Sequence, residues 1–376
     1  MADWFSVLRP ALYRLPPEAA HRLALWALVR CLWPPVKATL IPALEVRALG
    51  LYFPSPIGLA AGFDKNAIAI NALLGQGFGF VETGTVTPRP QPGNSRPRLF
   101  RLGCDEAIIN RLGFNNDGLE VFIKNFNRRD KNSGIAGINI GKNKNSSATV
   151  ADYITGLQVV YPYADYVTVN ISSPNTAGLR DLQRGEALTQ LLSALIQSRA
   201  ECVLTYNRHV PLLLKVAPDL NDEEKEAIAH SALAAGIDGL VIGNTTLSRP
   251  PSLKSRHAGE SGGLSGRPLF ARSTEVLQDF YRLTGGKIVL VGAGGIFSAD
   301  DAYKKIRAGA TLLQLYTAII YRGFSVVRNL QEGLATLLEK DGFTNIRQAV
   351  GADVRTQPSC GSGGVNHRHH TSDEQD

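Results

Sequence analysis

Eight short apolar runs recur through the middle of the chain: PIGLAAGFD (56–64), FVETGTVTP (80–88), IAGINIG (135–141), YVTVNISSP (166–174), VPLLLKVAP (210–218), GLVIGNTT (239–246), KIVLVGAGG (287–295) and LLQLYTAI (312–319). They are nearly continuously hydrophobic, as strands buried on both faces should be. Amphipathic helical stretches separate them, such as NDEEKEAIAHSALAAG (221–236) and SADDAYKKIRAG (298–309). The second opens on Ser298 as an N-cap with acids in its first turn and closes on Gly309. Eight strand-then-helix units predict an α/β fold, a (β/α)8 TIM barrel more readily than an open sheet. Residues 89–114 are too many for an ordinary loop and predict an insertion over the barrel mouth.

The two ends of the chain differ from this pattern. Residues 1–45 form a small helical extension in which Trp4, Phe5, Val7, Leu8, Ala11 and Leu12 recur at helical spacing. Pro16-Pro17 interrupts it, and a second helix is expected from near Glu18 to about Trp33, where Pro34-Pro35 stops it. This pair is either a helical hairpin packed on the main domain or an amphipathic element resting on a membrane surface. The barrel is expected over 46–345, followed by a disordered tail over 346–376. Its last stretch, 355–376, lacks apolar residues apart from Cys360 and Val365. His367, His369 and His370 suggest a metal, but a tail without fixed geometry makes a poor site, and no metal is expected.

Composition narrows the class. The chain has 376 residues, 44% hydrophobic and 19% charged, with 37 glycines that point to tight turns or close approach to a ligand. A net charge of +7 would suit nucleic acid, an anionic membrane or anionic substrates, but the basic residues are scattered and no nucleic-acid motif accompanies them. Cys31, Cys104, Cys202 and Cys360 lie far apart without a CxxC pair, which indicates free thiols in a reducing compartment. LALWALV (23–29), between Arg22 and Arg30, is too short to span a bilayer.

In such a barrel the chemistry sits at the C-terminal strand ends. Here those ends are polar or glycine-rich: Asp64-Lys65, Thr83 to Thr87, Asn139 to Lys142, Asn170 to Asn175, Lys215, Asn244-Thr245, Gly292 to Gly295 and Tyr316-Thr317. Asn and Thr on successive strands suit a flat, hydrogen-bonding ligand. VGAGGI (291–296), just before a helix, leaves backbone N–H groups free for a phosphate, and GGLSGR (262–267) is either a second backbone contact or a flexible loop. Lys65 and Lys215 could each form a Schiff base or act as a fixed positive charge.

Together the strings AAGFDKN, ETGTVTPRPQPGN, INRLGFNN, GINIGKNK, NISSPNTAGLR, LLLKVAPDL, GNTTLSR, GGLSGRPL, VGAGGI and LQLYTAI resemble those of quinone-dependent (class 2) dihydroorotate dehydrogenases, over roughly residues 1–345. The resemblance implies a TIM barrel holding one FMN and oxidation of (S)-dihydroorotate to orotate, the fourth step of de novo pyrimidine biosynthesis. It also implies that electrons pass to a membrane quinone. FMN contacts would be Ala61, Gly62, Phe63, Asp64, Lys65, Thr85, Asn139, Asn170, Lys215, Gly243, Gly266, Gly295, Tyr316 and Thr317, with Gly243 standing where most relatives have threonine. Substrate contacts would be Lys65, Asn110, Arg111, Leu112, Gly113, Phe114, Asn170, Asn175, Asn244 and Thr245, with Lys65 facing the carboxylate. Residues 1–45 would form the mouth of a quinone tunnel on the membrane, with His21 and Arg101 at tunnel positions. The chain begins almost directly at the amphipathic helix, which suggests a bacterial protein held peripherally on the cytoplasmic side of the inner membrane, and a monomer is expected.

The resemblance also bears on the paired serines of VTVNISSPNTAGL (167–179). It places the catalytic base at Ser173, where class 1 relatives carry cysteine, and a proton relay at Thr176 and at a water near Phe114. On a strand-like path Ser172 should point away from its neighbour. A serine is a poor base, and no histidine is near in sequence, so asparagine donors and lysine would have to stabilise developing charge in a closed site. A soluble class 1 enzyme is disfavoured by Ser173 and by residues 1–45. A Schiff-base aldolase and a non-catalytic membrane scaffold are the remaining alternatives, and both would lack bound flavin.

Overall fold

Eight parallel strands close into a barrel, each at one of the apolar runs. They are β1 (Ile57–Leu59), β2 (Phe80–Val86), β3 (Ile135–Ile140), β4 (Tyr166–Asn170), β5 (Leu212–Val216), β6 (Gly239–Ile242), β7 (Val289–Ala293) and β8 (Leu312–Leu315). Neighbours in sequence are neighbours in space, and β8 returns to β1 with Gln314 opposite Gly58. This computed structural model describes residues 4–36 and 40–355.

Rings fill the N-terminal end of the barrel. Gly58 and Gly137 carry no Cβ where the Phe80 and Tyr166 rings lie against them, and Phe80 meets Tyr166 edge-on at 6.3 Å. Below them an antiparallel hairpin, Val46–Ala48 with Leu51–Phe53, places Phe53 against Phe80 at 5.3 Å. The sheet is therefore closed by packing at one end, and only the other end is open to ligands.

The two helices singled out by pattern follow their signals. Asn221 and Ser298 each form a capping box, with Glu224 and with Asp301, and start helices Asp222–Ala235 and Ala299–Arg307. The expected insertion is a hairpin, Leu99–Leu102 with Ala107–Asn110. GGLSGR is its third strand (Gly263–Gly266), not a flexible loop. Phe100, Leu102, Ala107, Ile109 and Leu264 give this small sheet its own core.

Two expected boundaries need correction. The N-terminal helices are α1 (Trp4–Arg14) and α2 (Pro17–Val29), so α2 ends four residues before Trp33. Cys31 takes a left-handed φ of 55°, Leu32 N–H reaches back to Ala27 O and Cys31 N–H to Leu28 O. This Schellman closure ends the helix before Pro34 has any effect. The disordered tail is expected from 346, but residues 346–349 and 352–355 are helical. Ile346 and Ala349 are buried, and Gly351 N–H bonds Ile306 O. Cys360 and the three tail histidines lie outside the described residues.

Helices α1 and α2 lie across the inserted sheet. The Glu18 carboxylate accepts from Arg98 Nε at 2.9 Å and Nη2 at 3.1 Å, and Arg101 donates to the carbonyls of Tyr13 and Leu15, both at 3.1 Å. Leu28 is buried in the main core, while Val7, Trp26 and Val29 face outward. Among the described residues no helix is long and apolar enough to cross a membrane.

Candidate active site

One cavity of about 1140 Å³ runs from the C-terminal strand ends, beneath the inserted sheet, to the gap between α1 and α2. All the expected flavin, substrate, proton-relay and tunnel residues line it except Arg111, Asn139 and Thr176. Arg111 turns outward to Glu260 and Ser261, both at 2.9 Å, and stacks on Phe100. Its chain neighbours Asn110 and Leu112 do line the cavity. Asn139 lies a layer deeper, fully buried. Thr176 has a buried hydroxyl with no partner.

The loop after β1 is held from within. Buried Asp64 accepts the N–H groups of Ile68 at 3.0 Å and Ala69 at 2.8 Å, although burial pushes its carboxyl pKa up. This turn presents Lys65, whose Nζ donates to Gly62 O at 2.7 Å. Burial, then the Arg98 charge, lowers the Lys65 pKa to about 8. At the end of β5, Lys215 is also buried, which lowers its pKa against the opposing pull of Glu82.

The two serines diverge. Ser173 lines the cavity, and its Oγ accepts the Asn175 N–H at 3.3 Å, so its proton is free to point inward. Ser172 is fully buried and bonds Asn170 and Asn244. Asn175 Nδ2 donates to Asn110 Oδ1 at 3.2 Å, joining the serine loop to the insertion.

At the far side, Gly243, Gly266 and Gly295 have φ values of 118°, 101° and 76°. A Cβ would meet Ala293 O at 2.7 Å from Gly243, the Glu106 carbonyl from Gly266, and the Phe270 backbone from Gly295. Only glycine lets the backbone line the cavity here. Thr317 Oγ1 donates to Ser265 Oγ at 2.9 Å, and Tyr316 OH donates to Gly62 O at 3.2 Å. An aromatic row leaves this corner: Tyr316 meets Phe63 at 5.8 Å, and Phe63 meets His21 at 5.0 Å. Burial lowers the His21 pKa to about 4, so the ring is neutral at physiological pH.

Sequence reasoning missed three charged residues. Arg98 lines the cavity and holds the carbonyls of Pro92 at 2.6 Å and Asn94 at 2.8 Å, besides Glu18. Arg180 bridges the serine loop and the loop after β6, donating to Ser172 O at 3.1 Å and Thr245 O at 2.9 Å. Glu82 is fully buried inside the barrel. A lone carboxylate in an otherwise uncharged strand run was a legible signal for Glu82; the two arginines had none.

The family model for dihydroorotate dehydrogenase matches residues 43–338. The chain belongs to the dihydroorotate dehydrogenase family. It is 50% identical over 355 residues to a dihydroorotate dehydrogenase (quinone) from Azorhizobium caulinodans, covering 94% of this chain and 100% of that one. It is 49% identical to the enzyme of the same name from Rhodospirillum rubrum, over 96% and 98% of the two chains. Among solved structures, DHODH from Eimeria tenella in complex with ferulenol superposes with a TM-score of 0.86 at 42% identity, over 92% of this chain and 99% of that one. The protein is an oxidoreductase of the quinone-linked branch of this family.

Proposed function

We propose that the protein oxidises dihydroorotate to orotate with FMN held at the barrel mouth, and passes the electrons to a membrane quinone entering between α1 and α2. One observation carries this reading: a single cavity joins Ser173 and Lys65 to the inner faces of both helices. Two reactants that never meet could each reach a carrier bound at its centre.

The residues present fit FMN. The glycines at 243, 266 and 295 let the backbone itself form the cavity wall, and Gly295, just before a helix, would receive the phosphate. Lys215, Asn170 and Thr85 line the cavity floor with polar groups suited to a flat heterocycle. Bound FMN would supply the two-electron acceptor for the substrate and the donor for quinone. Lys65 would hold the substrate carboxylate, and Asn110, Asn175, Asn244 and Thr245 would orient its ring. Ser173 Oγ would take the C5 proton, and the unpartnered Thr176 hydroxyl offers it an onward route. His21 and Arg101 would line the quinone's path.

The test is an anaerobic titration. Dihydroorotate should bleach the flavin absorbance of the purified protein, and a quinone added next should restore it. A colourless protein, or flavin indifferent to dihydroorotate, would refute the reading. Peripheral attachment, expected at the inner membrane, makes a separate prediction. Changing Val7, Trp26 and Val29 together to glutamate puts charges on an exposed apolar face that does not line the cavity. That variant should lose co-sedimentation with anionic vesicles and most turnover with long-chain quinone, while dihydroorotate still bleaches its flavin normally.

A further inference from the structure

Behind the Gly294–Gly295 corner of the cavity lies a cation without a bonded anion. Lys305, on helix Ala299–Arg307, is fully buried, yet among the described residues it forms no ion pair. Its Nζ donates to Ser273 Oγ at 2.8 Å and to Thr274 Oγ1 at 3.0 Å, both near the start of helix Phe270–Thr284. It also lies 5.2 Å from the centre of the Phe270 ring. Burial lowers its pKa to about 7, against the weaker opposing pull of Asp301. An ammonium group is costly to bury unless an anion compensates it, and two hydroxyls compensate it poorly.

The hydroxyls connect this group to the cavity wall. An ammonium only donates and a carbonyl only accepts, so each hydroxyl takes a bond from Lys305 and sends its own proton onward. Thr274 Oγ1 donates to Phe270 O at 2.7 Å, while Ser273 Oγ reaches Gly294 O at 3.0 Å and Phe270 O at 3.1 Å. The Gly294–Gly295 peptide is trans, so a carbonyl drawn back to Ser273 turns the Gly295 N–H the opposite way. That N–H bonds nothing among the described residues. Gly294 and Gly295 line the cavity, whereas Ser273, Thr274 and Lys305 do not. Lys305 thus stands two hydrogen bonds behind the corner that would receive the phosphate.

We propose that Lys305 is a positioning residue for the phosphate of FMN: its charge offsets the dianion from behind the wall, and through Ser273 it keeps the Gly295 N–H turned toward that anion. The inference rests on the FMN reading above. Lys305 itself does not touch the ligand. The rival view is a lysine that only fills the space between two helices. Such a lysine would not distinguish a phosphorylated flavin from an unphosphorylated one.

FMN and riboflavin differ only in the phosphate, so the test is a competition between them. Holoenzyme is equilibrated with mixtures of the two, and chromatography of the bound fraction gives the preference for FMN. Damage to the fold or to the ring site weakens both flavins and cancels in that ratio. A wild type that binds neither flavin refutes the cofactor reading, and this inference with it. A wild type that prefers FMN upholds the reading and leaves the variants to decide. Lys305→Met removes the charge at similar length and should lower the preference about tenfold or more, the scale of one charge acting on another through several ångströms of protein. Ser273→Ala keeps the charge but cuts the link to Gly294, and should lower the preference about threefold, the value of one modest hydrogen bond. An unchanged preference in either variant overturns the proposal. If Lys305→Met fails to fold, Ser273→Ala decides alone on the same criterion.

Discussion

Ser173→Ala is expected to keep its flavin and to be reduced by dihydroorotate at least about 100-fold more slowly, the lower range for loss of a positioned acid–base group. The substitution deletes one oxygen that faces the cavity and accepts only a long bond from the Asn175 N–H. The glycine cradle and Lys215, which would hold the cofactor, are untouched, so flavin content should match wild type. Single-turnover reduction under anaerobic conditions, followed at the flavin absorbance, separates this step from quinone turnover. A Ser173→Ala protein that is reduced at close to the wild-type rate would remove position 173 from the chemistry.

Lys65 has the second large effect. Its ammonium group is buried near the Arg98 charge, with the Gly62 carbonyl as its one bonded partner among the described residues, and that environment holds its pKa at about 8. Below that pH the side chain carries its proton and attracts a carboxylate. As pH rises through 8 the neutral amine takes over and the attraction is lost. Orotate affinity should therefore be flat below pH 8 and fall above it. Lys65→Met should weaken orotate binding by roughly 100-fold or more, as truncating one partner of a buried charge pair does, and should abolish the pH dependence. A Lys65→Met protein with wild-type affinity and the same alkaline fall would place the substrate carboxylate elsewhere.

Much of the molecule was legible from local pattern. The strand runs and caps stand where the sequence places them because continuous apolar stretches and side-chain caps act within a few residues of themselves. The end of α2 was misread because Pro34 is a strong stop signal, whereas a Schellman closure through Cys31 has little sequence signature without glycine. The tail boundary at 345 was misplaced because Ile346 and Ala349 are two isolated apolar residues. Their value comes only from the helices they pack against.

The order of strands, the position of the polar cluster at one barrel end and the distinct surroundings of Ser172 and Ser173 follow from the sequence alone, since strand periodicity and connection rules govern them. Tertiary structure alone decided that Arg111 turns to Glu260, that Arg98 and Glu18 pin α2 over the cavity, and that Asn139 donates to the buried Glu82. These contacts join residues tens to more than a hundred positions apart. A pairing of that kind depends on how the barrel closes, which no local pattern encodes.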